Sequence, residues 1–145
     1  MSEISVISNQ YNAVVDTTDK VNNSIIALKK KNILSYKKGE HKFQLSKEEL
    51  DTAKEYLINF LEFLMNLKDK GTLESEYLPS VVVRDFQNKI IDSIPFFDTE
   101  VETIITAING DKNLEEAQFN LLDRMVSTLD NERTVLFKRL RTARG

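Results

Sequence analysis

The chain lacks cysteine and tryptophan altogether, and its 145 residues include one histidine, two prolines and four glycines. Without cysteine there are no disulfides, thiolate metal sites or thiol nucleophiles. The lone histidine, His41, stands beside Glu40 in a lysine-rich stretch whose charge disfavours the imidazolium form. One histidine cannot supply the two Glu-x-x-His pairs of a carboxylate-bridged metal centre. No Ser/His/Asp spacing is recognisable around it. Neither a glycine-rich phosphate loop nor a dinucleotide fingerprint occurs. Carboxylates such as Glu48, Glu49, Glu115 and Glu116 fall at expected helix N-termini, where the helix dipole accounts for them. The expectation is a non-enzymatic protein with no cofactor, no metal and no catalytic residue.

Long apolar runs are also missing. The most apolar stretch, Tyr56 to Leu67, is interrupted by Asn59, Glu62 and Asn66, too short and polar to span a bilayer. The segment Met1 to Asn9 has neither the basic start nor the apolar centre of a cleaved signal peptide. A cysteine-free chain suits a reducing compartment, and the cytoplasm is the expected location. The balance of 41% apolar and 30% charged residues is that of a globular protein, and the length fits one domain over 1–145.

So few breakers leave long stretches free to be helical. The expected fold is all-α: a bundle of about five helices, three long and two short. The first, 3–35, carries apolar residues in alternating steps of three and four: Ile4, Ile7, Tyr11, Val14, Thr18, Val21, Ile25 and Leu28. That is the a/d seam of a coiled coil, with Thr18 and Asn32 as polar a positions. Such a helix would be roughly 50 Å long. Its intrinsic propensity is poor at Asp16–Asp19 and Asn22–Ser24, so it needs a packing partner, and a break near Asp16–Asp19 is one expectation.

A basic loop is expected over 36–45. Ser46 and Glu49 form a capping-box pattern opening a second helix, 46–70, whose stripe Leu50, Ala53, Leu57, Phe60, Leu64 and Leu67 is widened by Leu61, Phe63 and Met65. So wide an apolar surface predicts a central helix. A third helix, 79–94, takes Pro79 in its first turn and turns Val83, Phe86, Ile90 and Ile94 inward. Pro95 stops it, Phe96 and Phe97 are expected to plug the corner, and Asp98 caps a fourth helix, 98–109. The fifth, 113–142, directs Leu114, Leu121, Leu122, Met125, Leu129, Leu136 and Leu140 inward, with Glu132 at a position where an apolar residue belongs.

Charge is segregated. Lys20–Lys47 holds eight lysines against one acid, Glu48–Glu132 nineteen acids against seven bases, and Arg133–Gly145 five bases and no acid. Three readings follow: balance within the bundle, attraction between copies, and phosphate binding. The candidate contact residues are Ile4, Ile7, Tyr11, Val14, Val21, Ile25 and Leu28 of the seam, Lys29, Lys30, Lys31, Lys37, Lys38 and Lys42 of the basic stretch, and Arg139, Arg141 and Arg144 near the C-terminus. They predict a helical assembly or adaptor protein that packs, coiled-coil fashion, against itself or a protein partner. The alternative is an accessory nucleic-acid-binding subunit using 29–47 and the C-terminal arginines. Heptad spacing arises equally when a helix packs within its own bundle, and the sequence does not choose between the two.

Overall fold

The fold was obtained as a computed structural model that describes residues 3–36, 46–70 and 77–144. Five α-helices follow in order: α1 (Glu3–Tyr36), α2 (Lys47–Lys70), α3 (Ser80–Phe86), α4 (Phe97–Asn109) and α5 (Glu116–Ala143), with a π-helical turn (Gln87–Ile91) continuing α3. There is no strand among the described residues, and the helices pack against one another as an all-α bundle.

The first helix is unbroken across Asp16–Asp19. Its weak helix formers are held by satisfied hydroxyls. Thr18 Oγ1 donates to the Val14 carbonyl at 2.6 Å, Ser24 Oγ to the Lys20 carbonyl at 2.8 Å, and Thr17 Oγ1 to the carbonyl of Tyr77 across the bundle. Thr17, Thr18 and Ser24 are all buried. A polar side chain that finds its acceptor can be buried without the loss that an unpaired hydroxyl would bring.

α1 runs antiparallel to α5, as the pairings Tyr11–Phe137, Asp19–Arg133 and Lys29–Asp123 show in turn. It also packs against α2, which touches α4 and the π turn in addition. The central position expected of α2 is thus observed: Leu57, Phe60, Leu61, Leu64 and Leu67 are fully buried. Phe60 meets Phe86 at 6.4 Å and Tyr77 at 5.9 Å, both edge-on, and Phe63 stacks on Tyr77 at 5.2 Å. Edge-to-face contacts at these separations are the favoured aromatic geometry. Ser46 caps α2 by accepting the Glu49 amide at 3.1 Å.

Several boundaries differ from expectation. Pro79 is the N-cap of α3 rather than a residue of its first turn. Helical structure of the third segment ends at Ile91 rather than 94, its last turn a π turn in which Asp92 N–H reaches back five residues to the Gln87 carbonyl at 2.8 Å. Val82 is buried one helical turn before Phe86, and beyond the widened turn Ile91 is buried alongside Ile90 while Ile94 is only half-buried. Asp98 lies within the first turn of α4. The cap position belongs to Phe96, in left-handed backbone with φ of 59°. The corner expected to be plugged by two aromatics is plugged by Phe97 alone, since Phe96 is 79% exposed. Finally, α5 begins at Glu116 rather than 113. Glu115 accepts from the backbone of Gln118, whose side chain accepts the Glu115 N–H at 2.8 Å. That reciprocal pair fixes the start. Leu121 is half-buried where the sequence pattern placed it inside.

Candidate interaction surface at the open end of the α1/α5 pair

Burial divides the α1 seam. Val14, Thr18, Val21, Ile25 and Leu28 lie in the chain's own core. Four of the proposed contact residues, Val14, Val21, Ile25 and Leu28, are therefore covered by α2 and α5 and are not available to a partner. The heptad pattern there serves intramolecular packing. Toward the N-terminus the seam emerges. Tyr11 and Ile7 are half-buried, and Ile4 is 36% exposed.

The basic end of α1 is similarly spoken for. Lys29 Nζ donates to both carboxylate oxygens of Asp123 at 3.1 Å and lies over the Phe119 ring at 5.7 Å. Lys31 pairs with Asp111 at 2.9 Å, and Lys54 of α2 meets the same carboxylate at 2.8 Å. Asn32 Nδ2 donates to the Leu114 carbonyl at 2.9 Å. Together these groups clamp the α4–α5 connection against α1. Two cations on one carboxylate, each also hydrogen-bonded to it, hold the Asp111 pKa down from 3.8 to about 2. Of the three charge readings, balance within the bundle describes these contacts. Lys30 is exposed and forms no ion pair among the described residues. Lys37, Lys38, Lys42 and His41 lie outside the described residues.

The C-terminal arginines behave differently. Arg133 pairs with Asp130 at 2.9 Å and with Asp19 at 3.9 Å. Beyond it, Lys138, Arg139, Arg141 and Arg144 form no ion pair with any described residue, and all four are exposed. Lys138 and Arg139 sit where Ile7 emerges. A groove of about 580 Å³ runs along this end, bordered by Glu3 and Ile7 of α1 and by Val135, Lys138, Arg139, Thr142 and Ala143 of α5. Val135 is 43% exposed, Phe137 46% and Val6 42%. Of the six predicted contact residues at this end, the structure thus brings Ile7 and Arg139 to one groove, from opposite ends of the sequence, while Arg141 and Arg144 fall on the other flank of α5, the side on which Phe137 meets Tyr11.

Val135 and Phe137 were not singled out by the sequence pattern. The run Val135-Leu136-Phe137 did hold the clue: three successive residues cover about 200° of a helix surface, so they cannot all share one inward stripe. Leu136 is buried and its two neighbours are not.

A second polar feature lies on the inner face of α5. The Glu132 side chain is only 4% exposed, and Lys89 of the π turn reaches it at 3.4 Å while standing 3.9 Å from Asp85. Burial, reinforced by the Asp85 charge, raises the Glu132 pKa above its usual 4.5, against the pull of Lys89. Arg124 braces the same turn, donating to the Lys89 carbonyl at 3.3 Å and to Ser93 Oγ at 3.1 Å. Among the described residues, no three His, Cys, Asp or Glu side chains converge as metal ligands would, and no helix is long and apolar enough to cross a membrane.

Comparison of the chain with protein-family models, with curated proteins and with solved structures found no match.

Proposed function

We propose that this protein is a non-enzymatic helical adaptor whose working surface is the open end of the α1/α5 pair, where a helix of a protein partner packs in coiled-coil fashion. The observation that supports this best is the burial gradient along one seam. The same heptad register that is fully buried at Val21 and Ile25 ends at Ile4 with a third of its surface in water. Exposed Val135 adds to the apolar lining of the groove at that end, while Phe137 stands on the opposite flank of α5. Apolar residues gathered beside a groove, rather than scattered singly, are characteristic of surfaces that bind protein. The nucleic-acid alternative draws less support, since Lys29 and Lys31 are engaged by Asp123 and Asp111.

The test is titration of a fluorescent amphipathic helical peptide, uncharged on its polar face, into the full-length protein, read by anisotropy. Saturable binding is expected, weakened at least about tenfold by Val135→Asp, which places a charge in the contact. Circular dichroism of the variant checks that the fold is retained. Sedimentation velocity of the protein alone runs alongside. Concentration-dependent dimerisation lost in the variant would put a second copy in the partner's role. A concentration-independent monomer that binds no such peptide would overturn the reading.

A further inference from the structure

We infer that the partner helix is acidic: an amphipathic segment whose apolar residues enter the α1/α5 groove and whose Glu or Asp flank meets Lys138 and Arg139. This rests on the adaptor reading above and specifies its partner. The argument begins with a single helix face. Val135, Lys138, Arg139, Thr142 and Ala143 follow in steps of three, one, three and one, so they form one continuous stripe of α5. At 1.5 Å per residue the stripe is about 12 Å long, enough to seat about two turns of a helix. Across the groove stands Ile7, with Glu3 as the single acid. The surface is therefore apolar in its lining and basic along one side.

Many of the other cations among the described residues have partners. Lys20, Lys29, Lys31, Lys54, Lys68, Lys89 and Arg133 each meet a carboxylate within 4.0 Å. Lys138 and Arg139 meet none among the described residues, nor do Lys30, Lys47, Arg84 and Lys112, but of these six only Lys138 and Arg139 border this groove. A helix C-terminus favours cations, but that preference fades within one turn, and Lys138 lies more than a turn from the end. Two adjacent unneutralised cations beside exposed apolar side chains are complementary to an acidic amphipathic helix.

Other occupants fit less well. Two copies meeting end to end would bring like charges together. A bilayer is flat, whereas Ile7 and Ala143 are half-buried within the groove. A phosphate backbone would use the cations and leave the apolar lining exposed. The larger groove of about 760 Å³ between α1 and α2 is framed by Lys20 and Lys30 on one side and Glu48 and Glu49 on the other, so its charge selects no partner.

The experiment compares three peptides with one apolar face and Glu, Gln or Lys flanks, titrated into the full-length protein at about 50 mM and about 500 mM NaCl, a range that shortens electrostatic reach severalfold. At low salt the Glu peptide is expected to bind at least about tenfold tighter than the Gln peptide, and the Lys peptide weakest. The advantage shrinks at high salt. In the double variant Lys138→Glu/Arg139→Glu the order reverses. Both positions are exposed, so the fold is not at stake, and a thermal melt checks this. Equal binding of the three peptides would overturn the acidic-partner inference while leaving the docking surface standing. Binding of none would overturn both. Tighter binding of anionic vesicles or of a single-stranded oligonucleotide than of the Glu peptide, unchanged by Val135→Asp, would also overturn it.

Discussion

Phe96 has positive φ and 79% of its surface in water, so its ring contributes little packing in return for a backbone conformation that a side chain disfavours. Phe96→Gly is expected to raise the melting temperature, by the few degrees that about 1 kcal/mol corresponds to in a protein of this size. A drop would mean that the exposed ring is doing more than the fold records. Glu132 presents the opposite case, a buried ionisable group with an incomplete partner. Lys89 is 55% exposed, so it can turn to solvent when Glu132 is replaced. Glu132→Leu should therefore stabilise the fold by about 1 kcal/mol or more, measured by urea denaturation. A loss instead would show that the Lys89 contact outweighs the desolvation of the carboxylate. The heptad pattern already marked Glu132 as a polar residue on an inward face. Its neighbours Lys89 and Asp85 were not legible, because the docking of α3 and its π turn against α5 places them there and nothing in the local composition announces either.

Among the helices, α1 shows how one pattern can do two things. Its a/d register runs from Ile4 to Leu28, yet only the part from Val14 onward is enclosed. Ile25→Ala removes a fully buried side chain and should cost about 2–5 kcal/mol, whereas Ile4→Ala should fall within about 0.5 kcal/mol. Equilibrium denaturation of the two variants checks the division. Equal losses would place Ile4 in a core it does not reach here. The helical character of α1, α2 and α5 was readable from periodicity and from the scarcity of glycine and proline. The ends were less so. Ser46 signalled the start of α2 correctly, but Asp98 and Asn113 were passed over in favour of Phe96 and Glu115. A capping side chain commits only when its helix arrives at the right depth and direction, and tertiary packing sets both.

For the molecule as a whole, Asp111 and Glu132 give stability two opposing slopes with pH. The Asp111 pKa is depressed in the fold, so its contribution is present above 3.8 and lost as pH falls toward about 2. The Glu132 pKa is raised, so its contribution is full below 4.5 and lost as pH rises through the elevated value. In Asp111→Asn the acid-side loss between 3.8 and about 2 should flatten, and asparagine also tolerates the left-handed backbone at that position, where φ is 56°. In Glu132→Gln the decline above 4.5 should flatten instead. Thermal melts of both variants and the parent across pH check the pair of signs. An Asp111→Asn profile parallel to the parent below 3.8 would show that the two lysines do not hold that carboxylate.

The sequence by itself determined the class of fold: composition and period, with so few chain breakers, allow little besides an α-helical bundle with α2 at its centre. It also marked the segregation of charge and the chemistry unavailable to a chain without cysteine and with one histidine. Only the tertiary structure decided which part of the α1 seam is consumed internally and which is left open. Heptad spacing is the same whether the facing helix is the chain's own or another's, and only the reach of α2 and α5 along α1 separates the two. The structure likewise decided which cations are free. Lys31 and Lys29 meet aspartates 80 and 94 residues away, while Lys138 and Arg139 meet none among the described residues. Pairing across such distances depends on how the helices are docked, and no local pattern records it.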